Sequence, residues 1–595
     1  MIRRSLRYVE DLSHGLQRQL ATAYRSKDLI AWGLRQKLRE GYTMRDFRAD
    51  LLAALVVGVV ALPLSMALAI ASGVGPERGL YTAIIAGVTC SLLGGTRSQV
   101  TGPTAAFVVI LVPIVNKFGV AGLLVAGMMA GVILVIMGLA RLGKLMQFVP
   151  HPVTTGFTMG IAITIGVLQL KDAFGISLGF PKTEGTLEYI GALWDQRGLI
   201  NFWEVGIAAL TVAMLVTLPK VLRVIPAPLI ALTAVSVLVI IAAHVAPDSW
   251  HFHAITIGDR FSYPLGNGLK GHGIPPLPPL PVLPWHESPG FTLDYHTIRQ
   301  LLPSALAIAM LGAIESLMAA VVADGMAGTH HDPNSELIAL GIGNMLVPFF
   351  GGIAATGALA RTATNIKAGS RSPLSATMHA IFVLACTIAL APLVAYLPMA
   401  ALAGLLIVVA RNMSEARHFA RIARIAPRHD VMVMLTCFVL TVVFDMVIAV
   451  TVGVVLAALL FMRRMSVLTN VELETASDLK VDVPPGVRVY EIAGPLFFGA
   501  AQSAMEVLHT VGDKDHTYIL EMQHVPTMDA TGLVALESVL DRLRRSKVKV
   551  IFSGLTSEVL EMFERAGIKR EPGKIAYAPD VETAISMAIV HGARQ

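Results

Sequence analysis

Charge is what this chain has least of. Only 15% of its 595 residues are Asp, Glu, Lys or Arg, where a soluble globular protein carries about 25%. A water-facing surface for a chain of this length cannot be built from so few. Cysteine is nearly absent too. Cys90, Cys386 and Cys437 lie far apart inside apolar runs, so they predict neither a disulfide framework nor a metal cluster and read as small core residues. Nucleotide loops, zinc-ligand spacings and nucleophile elbows are missing, which removes the common enzyme classes and leaves no cofactor to expect. Residues 1–50 hold no apolar central run, so no cleavable signal peptide is predicted. What the chain has in excess is hydrophobicity: 54% of residues are apolar and the mean hydropathy is +0.66. The class left standing is a multi-spanning membrane protein.

The apolar excess runs from Leu51 to Met462, and the sequence beyond about Leu468 reads as ordinary soluble protein. This gives three expected regions: a cytoplasmic amino-terminal segment over 1–50, a transmembrane domain over 51–467 and a soluble domain over 468–595. The net charge of +6 would suit nucleic acid. The basic residues sit at the ends of apolar runs, however, which is the mark of positive-inside topology, and no nucleic-acid partner is expected.

Spans of about 20 residues or fewer read as seven plus seven. The first set lies near 51–72, 79–95, 101–116, 119–140, 152–170, 202–219 and 226–244. The second lies near 300–323, 336–350, 358–369, 373–391, 398–411, 430–446 and 447–463. Arg97, Arg141 with Lys144, Lys220 with Arg223, Lys367 with Arg371, Arg411 to Arg428, and Arg463 with Arg464 follow even-numbered spans. Span eight, followed by Asp324 and two histidines, is the exception. Both termini are then predicted to be cytoplasmic, in a protein of the inner membrane. The segment 246–298 carries Pro275 to Pro281 with leucines between, and predicts an extended external loop.

Two spans are shorter than a membrane and start on helix-breaking sequence. One begins Thr101-Gly102-Pro103-Thr104-Ala105-Ala106, the other Thr356-Gly357-Ala358-Leu359-Ala360-Arg361-Thr362. They occupy the third position of each half. Corresponding interrupted spans of this kind point to a transporter substrate site, because each half-helix offers unpaired amides and about half a positive charge at its start. Arg361 adds a full charge at membrane depth. Glu315 is the one charged residue between Leu301 and Val322. A carboxylate there should face protein or water and is a candidate proton-binding group; cation ligation and pairing with Arg361 are the other readings. Asp445 reads as a turn acid and Asn344 as packing glue. His151 and His379 read as boundary or core residues, and His330-His331 is too weak for a metal site.

At these residues the sequence resembles the SulP anion transporters. The resemblance rests on Gly102 to Ala106, Gly156-Phe157-Thr158 with Gln169 to Asp172, Gly312 to Leu317, Ser335-Glu336-Leu337 with Gly341 and Asn344, and Ala360 to Ala363. It implies an inverted repeat, a core domain of spans 1–4 and 8–11, a gate domain of spans 5–7 and 12–14, a homodimer and an elevator-like movement. Substrate would lie between Thr104, Ala105, Ala106 and Ala360, Arg361, Thr362, beside Leu64, Ser65 and Leu68 of span one, with Glu315 coupling to a proton or Na+. Many members carry Pro-Gln and then an aromatic residue in span one, where this chain has Pro63-Leu64-Ser65-Met66-Ala67-Leu68. That variant, with Asp324 to Thr329 and Phe444 to Ala449, is similar to the DauA-type C4-dicarboxylate carriers. A sulfate or bicarbonate carrier is the alternative, and an anion channel or regulatory scaffold the reading from another class.

The soluble region predicts strands at Val487–Ile492, Tyr518–Met522 and Val548–Phe552, and helices at Ala500–Val511, Ala530–Arg545 and Ser557–Ala566, an α/β pattern. With Asp529-Ala530-Thr531-Gly532 it resembles a STAS domain, and implies a site for a cytoplasmic regulator. In anti-anti-sigma factors a phosphorylated Ser follows the Asp; here Ala530 takes that place.

Overall fold

A computed structural model describes residues 29–144, 150–176, 185–221, 226–245, 252–266, 269–444, 446–468, 470–474, 483–497 and 516–592. The chain divides into two compact units at Val454/Val455.

In the first unit, α1 (Trp32–Glu40) precedes α2 (Met44–Ala71), α3 (Pro76–Leu93), strand β1 (Thr101–Gly102), α4 (Ala105–Leu139), α5 (His151–Ala173), α6 (Thr186–Asp195), α7 (Phe202–Val221) and α8 (Ala227–Val245). A hairpin, β2 (Ser262–Gly266) and β3 (Leu269–His272), leads to α9 (Tyr295–Ala327), α10 (Pro333–Leu346), β4 (Thr356–Gly357), α11 (Leu359–Lys367), α12 (Leu374–Val394), α13 (Met399–Met413), α14 (Ala416–Ile425) and α15 (Arg428–Val443). The division between the units falls inside the next helix, α16 (Met446–Leu468). Spans three and four are joined in α4, which breaks at Gly119. The φ of 70° there suits glycine, and the amide of Ala121 beyond the break donates to Ser288 Oγ at 3.0 Å. Among the described residues eight helices are long and apolar enough to cross a membrane unaided. With spans three and four both in α4, the remaining five spans are α3, α10, α11, α15 and α16, giving the fourteen-span architecture. The proline run at 275–281 takes no regular structure and is held by Val282, whose amide donates to Phe349 O at 2.7 Å.

The packing carries the repeat. Exchanging each span n for n + 7 maps observed helix pairs onto one another. Span 11 on span 2 (α12 on α3) answers span 4 on span 9 (α4 on α10), and span 13 on span 5 (α15 on α5) answers span 12 on span 6 (α13 on α7). The connections also sort into two faces. Those after even spans meet one another and the amino-terminal segment, through Arg97 with Glu40, Arg371 with Asp46, and His151 with His418. Those after odd spans meet through Arg78 with Glu287 and with Gly351 O. Alternation of this kind is what a chain crossing a slab fourteen times must show.

In the second unit, β5 (Asn470–Glu474), β6 (Val487–Ala493), β7 (Thr517–Glu521), β8 (Lys549–Ser553) and β9 (Ile575–Ala578) form one sheet in that order, with the first pair antiparallel and the rest parallel. Helices α17 (Ala530–Arg545), α18 (Ser557–Ala566) and α19 (Val581–Gly592) accompany it. Leu536, Leu540, Leu543 and Phe563 pack on Tyr518, Leu520 and Phe552 of the sheet, while Ile585 and Ala588 join Ile519 and Ile551 in a separate core. The sequence reading lacks β5, β9 and α19. The helix it predicts at Ala500–Val511 falls outside the described residues, as does Asp445.

Candidate functional site

The two interrupted spans meet. Their Thr-Gly steps pair antiparallel, Thr101 opposite Gly357 and Gly102 opposite Thr356. β1 leads into α4 at Ala105 and β4 into α11 at Leu359. The amides of Ala105, Ala106 and Phe107, and of Leu359, Ala360 and Arg361, therefore have no acceptor in their own helices. Some helix starts are closed by a side chain: Thr43 with Asp46 at α2, Asp294 at α9, Asp332 at α10 and Asp529 at α17. Others, such as those of α3, α5, α12 and α13, are not. What sets α4 and α11 apart is that their open starts are brought together by the β1–β4 pairing. Neither Thr104 nor Ala358 caps its helix. The Thr104 hydroxyl is turned away and donates to Glu315 Oε2 at 3.0 Å. Open helix starts brought together in this way favour an anion.

Arg361 completes the positive field. It is 2% exposed, and its Nη2 donates to the Pro103 carbonyl at the mouth of α4. Nε and Nη1 find no acceptor among the described residues. Burying guanidinium donors without partners is costly, so their retention needs a reason beyond packing. A Cβ added to Gly102 would lie 2.6 Å from Nη1, so any larger residue there must displace the guanidinium. The pairing of Glu315 with Arg361 is not formed: Glu315 is half-buried and bonded to Thr104, and Arg361 reaches Pro103.

The other predicted residues fall in several environments. Ala105 and Ala106 are buried, Thr104 is half-buried and Ala360 is exposed. Thr362 is already engaged. Its amide donates to Ala358 O at 2.8 Å and its hydroxyl oxygen accepts from Val100 N at 3.1 Å, so the amide is spent inside the helix and the side chain fixes the strand. In span one, Leu68 is enclosed at 2% exposure, Leu64 is half-buried, and Ser65 is buried with its hydroxyl unpartnered among the described residues.

Sequence reasoning passed over Glu336 as a participant. It is 1% exposed and accepts from Gly95 N (2.9 Å), Thr96 Oγ1 (3.1 Å), Gln99 Nε2 (2.9 Å) and Ser316 Oγ (3.3 Å). One carboxylate thus ties α10 to the segment feeding β1 and to the residue after Glu315. An acid in the first turn of a helix after Asp332-Pro333 looks like an ordinary helix-start charge; its place in the Ser335-Glu336-Leu337 motif was the signal that could have found it. Asn344 does more than glue helices together: its side chain both donates to and accepts from the Ala355 backbone, at 2.8 Å each, fixing the approach to β4. His379 is fully buried with neither ring nitrogen partnered among the described residues. His331 Nδ1 lies 2.7 Å from Asp324 Oδ2, and no cluster of three metal-ligating residues occurs among the described residues. In the second unit Asp529 Oδ1 accepts from Gly532 N at 2.7 Å as a plain helix cap.

The fold is that of a polytopic membrane transporter with a second, α/β unit, and the proteins it is similar to are anion transporters, not enzymes. The chain belongs to the sulfate permease family, whose profile matches residues 47–437; the STAS domain profile matches 478–584. It is 41% identical over 90% of its length, and 96% of the relative, to "Putative sulfate transporter YvdB" of Bacillus subtilis. It is 31% identical over 89% of its length, and 92% of the relative, to the bicarbonate transporter BicA of Picosynechococcus. Among solved structures, the transmembrane domain of a cyanobacterial BicA matches with a TM-score of 0.59 at 29% identity, covering 69% of this chain and 98% of that one. The overall structure of SLC26A9 matches in fold with a TM-score of 0.79 at 18% identity, covering 97% and 94%.

Proposed function

We propose that the chain is a secondary active carrier whose anion sits between the open starts of α4 and α11, and that its substrate is a C4-dicarboxylate taken up with a proton. The observation that carries the site is the pair of uncapped helix starts with the unfilled donors of Arg361 between them. Amides of Ala105 to Phe107 and Leu359 to Arg361 receive one carboxylate. Glu315, hydrogen-bonded to the Thr104 side chain at the same helix start, is the coupling group. As a carboxylate it repels the anion; protonated, it does not, so proton and substrate favour each other's binding. Na+ would serve the same electrostatic purpose.

A substrate with a carbon backbone is supported by Leu64, which keeps accessible apolar surface where many family members place an amide. In this reading the chain is DauA-type. Sulfate or bicarbonate is the second reading, and the names of the relatives favour it. Core spans 1–4 and 8–11 pack among themselves, as do gate spans 5–7 with 12 and 13, which supports an elevator-like movement of one set against the other in a homodimer. The reading keeps regions 1–50, 51–467 and 468–595, with both termini cytoplasmic in an inner membrane and a regulator bound at the STAS domain. Uptake into proteoliposomes tests the substrate, with succinate, fumarate, aspartate, sulfate and bicarbonate in competition. The proposal expects the dicarboxylates to compete best; selective competition by sulfate or bicarbonate replaces it with the second reading.

A further inference from the structure

We propose that the arginine face of α14 is a binding site for the phosphate headgroup of an anionic phospholipid. The helix is joined at both ends to membrane spans, α13 ending at Met413 and α15 starting at Arg428, so it is tethered at the membrane surface. It lies on the face where the even-numbered spans end, since His418 Nε2 is 3.1 Å from His151 Nε2 at the start of α5. Its other side is taken: Phe419 packs on Phe438 of α15 with ring centroids 5.7 Å apart. This fixes the rotation of the helix.

Arg417, Arg421 and Arg424 follow one another at i, i+4 and i+7, a single helical face. With Ala420 and Ile425 they line a recess of about 470 Å³. All three are exposed, and no carboxylate lies within ion-pair reach of any of them among the described residues. Arg78, Arg97, Arg260 and Arg371 each hold an acid; what marks Arg417, Arg421 and Arg424 is that they gather on one helical face around one recess. The grouping matters because guanidinium is built for bidentate contact with phosphate as well as carboxylate. Ile425 is 70% exposed at the same recess, an apolar surface that water solvates poorly and that a glycerol and acyl chain would cover. Positive charge facing outward, an apolar floor and a tether at the membrane surface match a lipid phosphate in each respect.

The test uses the full-length chain in detergent, with native mass spectrometry reading retained phosphatidylglycerol against phosphatidylcholine. Wild type should retain phosphatidylglycerol preferentially. Arg417→Gln/Arg421→Gln/Arg424→Gln should weaken that retention roughly tenfold or more. The matching triple Lys variant, which keeps charge but loses the fork, should fall between. Equal retention of the two lipids by wild type, or of phosphatidylglycerol by wild type and the Gln variant, overturns the proposal. So does inorganic phosphate stabilising the lipid-free protein as strongly as phosphatidylglycerol does, which would make the site one for soluble anions. If the Gln variant does not fold, the wild-type lipid preference and the Lys variant decide.

Discussion

At the start of α4, the side chain beside the open amides is Thr104, whose hydroxyl reaches a carboxylate. At the start of α11 it is Arg361, whose guanidinium reaches back to Pro103. The backbone of the two starts is the same: a Thr-Gly strand, paired to its counterpart, running into an uncapped helix. The repeat therefore supplies a symmetric pair of open helix starts, and in the proposed site the charges beside them break the symmetry. Arg361 brings a fixed positive charge from one half. Glu315 in α9, a titratable group, is addressed by the other. A purely symmetric site would bind an anion with nothing to couple it to.

The comparison is broken most severely by removing the fixed charge. Arg361→Ala should lower substrate affinity roughly 10- to 100-fold, the effect of losing a charged hydrogen-bond donor, measured as the half-saturation concentration for uptake. Arg361→Lys should recover only part, because a point charge cannot replace the planar fork. Next come the paired glycines. Gly102→Ala directs its Cβ against the Arg361 side chain, so uptake should fall roughly tenfold with the fold retained. Gly357→Ala meets Gln99 Nε2 at 2.2 Å and the Ser316 backbone at 3.0 Å. It should therefore lose about 1–3 kcal/mol of stability, read by thermal unfolding. Equivalent outcomes for the two would remove the asymmetry. Thr104→Val deletes one hydrogen bond to Glu315 and should reduce uptake about three- to tenfold. The smallest effect belongs to a closed helix start: Asp529→Ala should cost the α/β unit about 1 kcal/mol in its own unfolding step and leave transport unchanged.

Much of this was legible in the sequence, for physical reasons. Spans declare themselves by length and hydropathy, so every predicted span has its helix, and the break at Gly119 falls at the predicted boundary between spans three and four. The open helix starts were legible because glycine and proline before a short apolar run have few other uses. Direct pairing of the two Thr-Gly steps was not: it joins residues more than 250 positions apart, and two residues carry no strand periodicity. Nor was the role of Thr362, whose donors look free until Val100 and Ala358 are placed beside it. Glu336 was hidden by its resemblance to a common helix-start acid. The α14 helix read only as a basic break, since 10 residues between two spans are too few for a span. Strands β5 and β9 escaped because edge strands carry little hydrophobic pattern of their own.

The central claim is that a titratable carboxylate beside an open anion cradle links substrate to a proton. Uptake by Glu315→Gln in proteoliposomes, with and without an inward proton gradient, tests it most directly. Coupling through Glu315 requires a folded protein that still binds and exchanges anion but gains nothing from the gradient. Gradient-driven accumulation equal to wild type would contradict it.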